Sequence, residues 1–340
     1  MRVLEGLTGW RAGALGVAAV CAVLWAPCAA WADNPLRIGV QFGMGYIPFY
    51  VADRDGLFEK HFAAEGVSGV TVSFPRFSGS PPLNEALISG QIEMATYAVT
   101  GLIVAWDKTR GTPSALVGVC GTMTHPTAMI TLKPEMKTLK DVTSEDRIAI
   151  PAPISTSAYV LRIGAEQQFG NATKFDQQIV SMPNPDAVIA LLSHKIVTAH
   201  FTVPPFTDYE LRQPGGHVVL GTEQVFGGPT TTNVLVASDR YARANPGIIK
   251  AVIGALDEAN QAIVKDPRRA ADIYLEYEPS KTFDAAFIAE LLADGHHGYA
   301  TTPLGVMKFV DYFIRHNEMK NKPQSWKDLF LPYIEDRAGS

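Results

Sequence analysis

The chain has 340 residues, 29 lysines and arginines against 34 aspartates and glutamates, a formal net charge of −5, three cysteines and 47% hydrophobic residues. The acidic balance excludes a nucleic-acid binder, which needs a basic footprint, and three cysteines supply neither a disulfide scaffold nor a thiolate metal cluster. The length and apolar content, with no low-complexity tract, suit two packed lobes.

At the N-terminus Arg2 and Arg11 flank a short polar lead, Ala12 to Trp25 is uncharged and apolar, and Ala30 and Ala32 in "CAAWA" place small residues before Asp33. This order predicts a cleavable secretory signal peptide over 1–32; the competing reading is a retained membrane anchor. Cleavage removes Cys21 and Cys28 and leaves Cys120, so the exported chain forms no internal disulfide. It also removes Arg2, Arg11 and Glu5, leaving 27 basic and 33 acidic residues and a formal charge of −6. No later run is long and apolar enough to span a membrane, which predicts a soluble exported protein.

Short β-branched runs then predict strands at 36–42, 70–77, 93–98, 115–121, 128–133, 147–152, 177–182, 197–203, 217–222 and 232–238. Helical patterns lie between them near 48–60, 81–90, 101–109, 156–169, 185–194 and 205–212. From 239 to 317 the pattern is nearly all helical, with Ile248, Val252, Ala255, Leu256, Ala259 and Ile263 along one face. The β-α alternation predicts an α/β fold with mainly parallel sheets, and ten strands fit two sheets of about five better than one. In such sheets ligands bind beyond the carboxyl ends of the strands. The loops there are "GMGYIPF", "SGSPP", "TMTHPT", "PAPISTS" and "TVPPF", each joining Gly, Pro or hydroxyl residues to a helix start. "PAPISTS" places Ser155, Thr156 and Ser157 where unpaired N–H groups and the positive helix end face outward, which makes either an ordinary cap or a seat for an anion.

The segments "RIGVQFGMGYIPFYVADRDGLFEKHFAAEGV", "SGSPPLNEALISGQIEMATYA", "DRIAIPAPISTSAYVL" and "PDAVIALLSHKIVTAHFTVPPF" resemble the periplasmic solute-binding proteins of ABC importers in the nitrate/sulfonate/taurine group. That superfamily also holds thiamine-pyrimidine binding proteins and a related pyrimidine synthase. The resemblance implies a two-lobed periplasmic-binding-protein fold of type II, two mainly parallel five-stranded sheets joined by two crossing strands, closing on a ligand like a clam. Lobe one would be 36–120 plus 222–340 and lobe two 121–221, with hinge residues Gly121, Gly227 and Gly228. It further implies a non-enzymatic monomer in the periplasm, without cofactor, that carries a small molecule to an ABC permease and its ATPase in the inner membrane.

Ligand-binding candidates in lobe one are Met44, Tyr46, Ser78, Ser80 and Tyr97; those in lobe two are His125, Ser155, Thr156, Ser157 and Thr202. Pro48 suits the first turn of the helix after Tyr46. His200, within an apolar strand, reads as a hydrogen-bonded core residue, and His296-His297 lacks acidic or cysteine partners at metal spacing, so no metal site is expected. None of the five loops carries an arginine or lysine. An anion would therefore be held by hydroxyls and helix N-termini, which suits a sulfonate better than a phosphate-like dianion, the usual partner of bidentate arginine. Met44, Tyr46 and Tyr97 point to an organic body. The alternatives are a pyrimidine or an aromatic carboxylate or amide ligand, or an enzyme on the same fold. Against the enzyme, one mature cysteine cannot form the synthase's cysteine-rich motif, and no G-x-S-x-G elbow is present for a serine hydrolase.

Overall fold

The computed structural model describes residues 34–295 and 297–340; the signal-peptide reading and His296 lie outside them. Ten strands are present among the described residues: β1 (Asn34–Gly39), β2 (Val70–Ser73), β3 (Met94–Ala98), β4 (Leu116–Met123), β5 (Ala128–Thr131), β6 (Ile148–Ile150), β7 (Ile179–Ser181), β8 (Ala199–Thr202), β9 (His217–Gly221) and β10 (Asn233–Ser238). They form two five-stranded sheets, ordered β2-β1-β3-β10-β4 and β7-β6-β8-β5-β9. The helices are α1 (Ile47–Arg54), α2 (Leu57–Ala64), α3 (Ser80–Ile88), α4 (Val99–Thr109), α5 (Thr156–Phe169), α6 (Asn184–Leu192), α7 (Phe206–Leu211), α8 (Thr222–Phe226), α9 (Asp239–Ala244), α10 (Pro246–Lys265), α11 (Pro267–Tyr277), α12 (Ala285–Ala293) and α13 (Val306–Arg315).

Both sheets are mixed: in each, four strands run one way and one runs against them. In the first, β1 is parallel to β2 and β3, while β10 is antiparallel to β3 and β4. In the second, β6 is parallel to β7 and β8, while β5 is antiparallel to β8 and β9. The cause is the path of the chain. A strand that launches a helix leaves its sheet at the end facing the other lobe, but β5 and β10 arrive from the other lobe and enter at that same end. Each must run against its neighbours, and each takes the fourth place in its sheet.

Local chemistry accounts for the elements. β3, β5, β6 and β8 are almost continuously buried, as strands covered on both faces require, whereas β2 at its sheet edge alternates. The helix expected over 48–60 is two helices, because Gly56 takes φ 63° between α1 and α2. α5 keeps its expected bounds: Ser155 caps it by accepting from the Ala158 N–H at 3.3 Å, and Gly170 closes it at φ 66°. All six residues expected on the inner face of the long C-terminal helix are buried in α10, which lies against α1 and α2.

The C-terminal segment also covers the open edge of β4, where an exposed strand would offer unpaired backbone groups. Gly121 N–H donates to the Thr301 carbonyl at 2.9 Å, Thr124 N–H to Gly298 at 2.9 Å, and Leu331 N–H to Gly118 at 2.8 Å. A Cβ on Gly121 would lie 2.7 Å from the Ala300 carbonyl oxygen, so close approach of backbone explains the glycine. β4 stays in the first sheet through Met123, paired with Asn233, so the first passage between sheets is 124–127, a few residues later than the Gly121 expected from sequence. The second passage runs over 222–232 and contains α8 and its cap Gly227 at φ 71°. Gly121→Ala should lower unfolding stability by about 1–3 kcal/mol, the usual cost of overpacking, measured by urea denaturation; unchanged stability would show that residues 300–302 do not press on β4.

Candidate ligand-binding site

A cavity of about 70 Å³ lies where the two sheets present their helix-launching ends to each other. All five loops singled out in the sequence reach it. They contribute Gly43, Gly45 and Tyr46; Ser78 and Ser80; Met123 and Thr127; Pro151, Ser155, Thr156 and Ser157; and Val203. Gln41, Phe42, Ala98, Pro183, Asn184, Thr232 and Asn233 complete the wall, and none of these side chains is charged.

Five helix starts converge here. The short 3-10 turn Met44–Tyr46 leads into α1, Ser80 opens α3, Ala98 caps α4, Ser155 caps α5, and Pro183 precedes Asn184 at the head of α6. The first-turn N–H groups of a helix lack intrahelical acceptors, and each helix start is equivalent to about half a positive charge. In α3, Pro81 and Pro82 remove two of those donors, so Ser80 carries what remains. The hydroxyls divide their tasks. Ser155 caps its own helix, Thr156 Oγ1 donates to the Thr232 carbonyl at 3.0 Å, and Ser157 lines the cavity one residue further along. Tyr46 contributes a buried phenol whose pKa is raised by burial and by the Glu278 carboxylate.

Across the cavity the lobes touch. Met44 N–H donates to the Pro204 carbonyl at 3.3 Å and Thr100 Oγ1 to the Ile154 carbonyl at 2.8 Å. Behind the first loop sits a neutralised pair. Arg76 Nη1 and Glu278 Oε1 are 2.9 Å apart, and the Glu278 carboxylate also accepts from Gly43 N–H, Tyr50 and Tyr274. Burial pushes this carboxyl up, opposed by Arg76. The guanidinium donates also to Gln41 O and Tyr50 and stacks on Phe42, so it braces the loop instead of facing the ligand space.

Residues 30–274 match the NMT1-like family. The chain belongs to the NMT1-like family. It is 25% identical over 249 residues, 73% of this chain and 71% of the relative, to the taurine-binding periplasmic protein of Escherichia coli (strain K12). Among solved structures it is similar to the periplasmic aliphatic sulphonate binding protein SsuA from Escherichia coli, with TM-score 0.65, 21% identity, 88% of this chain and 92% of that one covered. It is similar also to the periplasmic nitrate-binding protein NrtA from Synechocystis PCC 6803, with TM-score 0.69, 15% identity, 88% and 84% covered. These likenesses bear out the resemblance read from the sequence, and the architecture is the α/β periplasmic-binding-protein fold.

Within this NMT1-like chain, Tyr46, Ser78, Ser80, Ser155, Thr156 and Ser157 are brought together around the cavity, and Met44, Tyr97, His125 and Thr202 are not among its lining. Met44 is fully buried, and its carbonyl accepts from Tyr299 at 2.8 Å. Tyr97 donates to Asn84 on α3, and the next residue, Ala98, lines the cavity instead. Thr202 is likewise replaced by its neighbour Val203, because successive strand residues face opposite ways. His125 is buried against Tyr299 and His297, with ring centroids 4.7 and 5.2 Å away, and neither ring nitrogen has a hydrogen-bond partner among the described residues.

Asn184, Thr232 and Asn233 were missed in the sequence. The Asn-Pro start of α6 was a readable signal, since it follows a strand as the other loops do. Thr232 and Asn233 stand at the start of an arriving strand, which a rule about strand ends does not cover.

The histidine pair at the first passage gives a pH prediction. Burial, then the neighbouring His297, hold the His125 pKa well below 6.5. Burial opposes protonation of His297, but Asp208 and Asp294 hold its pKa above the usual value. A histidine depressed in the folded state contributes stability above its unfolded pKa and loses it as pH falls, because the unfolded chain takes up a proton that the folded one refuses. His125→Phe should therefore fold and lose less stability than wild type between pH 6.5 and about pH 5, measured by urea midpoints. An equally steep decline would show that the ring is solvated.

Proposed function

We propose that this protein is the substrate-binding component of an ABC uptake transporter, holding a small sulfonate-type organic anion between its lobes and delivering it to a membrane permease. The observation that carries this reading is the convergence of five helix starts and several hydroxyls on a small cavity whose lining has no charged side chain. Oriented N–H dipoles and hydroxyls stabilise a monoanion with its oxygens spread over several donors. A phosphate-like dianion would call for a guanidinium, and the nearby Arg76 is already paired with Glu278. The taurine-binding relative supports the same ligand class.

The two sheets divide the chain much as the proposed lobes do, with 124–127 and 222–232 as the connections whose dihedrals change on opening, Gly227 and Gly228 included. The Met44–Pro204, Thr100–Ile154 and Thr156–Thr232 contacts then form on closure, and a ligand that bridges both lobes shifts the equilibrium toward the closed state. We place the protein in the periplasm, exported by its signal peptide, acting as a monomer with a permease and its ATPase and returning its ligand chemically unaltered.

Calorimetric titration with taurine, ethanesulfonate, nitrate, thymine, benzoate and benzamide tests the ligand class. The expected result is one ethanesulfonate or taurine site per chain, with the ligand recovered intact. Ser157→Ala should weaken it by about tenfold or more, on the scale of a hydrogen bond to a charged group. Binding of thymine or benzamide with none of either sulfonate, or a chemically altered product, would overturn the reading.

A further inference from the structure

His200 on β8 and Glu210 on α7 are completely buried, and His200 Nδ1 lies 2.6 Å from Glu210 Oε1. The other ring nitrogen, Nε2, is 3.3 Å from Oδ1 of Asn184. Asn184 is the first residue of α6 and lines the ligand cavity. Three side chains thus run in a line from the interior of the second lobe to the ligand space. The amide at its end can present either its NH2 or its oxygen to a ligand, and the two faces select opposite chemistry.

Counting protons decides between them. Burial pushes the Glu210 carboxyl up, and His200 is the one group opposing it. Glu210 Oε2 has no hydrogen-bond partner among the described residues. An isolated negative charge in such a place is strongly disfavoured, so the pair is neutral overall. A neutral pair carries one proton in the short Nδ1–Oε1 contact and a second elsewhere. Placing that second proton on Oε2 would bury an O–H without an acceptor, so it resides on Nε2. This holds for imidazolium with carboxylate and for imidazole with carboxylic acid. Nε2–H then donates to Asn184, which must offer its oxygen inward and its NH2 to the cavity.

We propose that the His200–Glu210 pair fixes the Asn184 amide as a hydrogen-bond donor toward the cavity, making His200 and Glu210 positioning residues that select ligands bearing acceptor oxygens over ligands bearing N–H donors. The proposal deepens the anion reading above and rests on it for the ligand's identity, but not for the proton arrangement. A pyrimidine or an amide would require the opposite face of Asn184.

The test has two parts. In uniformly 15N-labelled wild type, with His200 assigned by a His200→Gln variant, Nε2 should show a protonated, pyrrole-type resonance. A pyridine-type Nε2 overturns the proposal whatever the protein binds. In calorimetry with ethanesulfonate, Asn184→Asp should weaken binding at least tenfold, because an oxygen replaces the NH2. Glu210→Gln should weaken it several-fold, because a neutral partner leaves both histidine tautomers and both amide faces accessible. Binding at wild-type strength in either folded variant overturns the donor role or the positioning role respectively. If wild type binds no sulfonate, the anion reading fails while the resonance still decides the proton arrangement.

Discussion

On the proposed reading, an anion between two lobes with no charged side chain in the described lining is held by oriented dipoles and hydroxyls, and the arrangement of helix starts around the cavity suits that constraint. Each of β1, β2, β3, β6 and β7 ends at the cleft and is followed by a helix whose N–H end opens there. The macrodipole falls off within the first turn, so those ends are effective only if they reach the ligand itself. The loops that bring them there are accordingly short and built from Gly, Ser, Thr and Pro, residues that let backbone approach closely. The crossing strands complete the arrangement. β10 enters the first sheet at the cleft, so its first residue, Asn233, and Thr232 just before it join the wall that the departing strands begin.

Charge is present near the cavity but one layer back, and there it is compensated. Arg76 with Glu278 braces the Gly43 loop, and His200 with Glu210 backs Asn184. Because each pair is internally balanced, it orients a loop or an amide without cancelling the field of the helix ends. A single unpaired carboxylate in either place would oppose an anion, and a single guanidinium would favour a dianion. Buried ion pairs are weak sources of stability but good sources of geometry, which fits their placement behind contact residues.

The sequence made the architecture legible because strand and helix periods are local properties. All ten strands lie where their β-branched runs are, with ends shifted by a few residues. What escaped was decided by neighbours. Asp55-Gly56 broke one expected helix into two, and one strand in each mainly parallel sheet runs against the rest because strand direction depends on which lobe the chain comes from. Ala98 and Val203, each one residue after the expected Tyr97 and Thr202, line the cavity. His200 was read correctly as a hydrogen-bonded core residue, yet its partner Asn184 connects it to the cavity, a link that depends on a helix sixteen residues upstream.

The most direct measurement compares methanesulfonate with dimethyl sulfone, a neutral molecule of nearly the same shape and with two of the same oxygens. If helix ends and oriented donors hold a negative charge, calorimetry should show the anion binding at least about a hundredfold more tightly, about 2.7 kcal/mol. Affinities within threefold of each other would mean that shape and neutral hydrogen bonds account for binding, and would contradict a site built on converging dipoles.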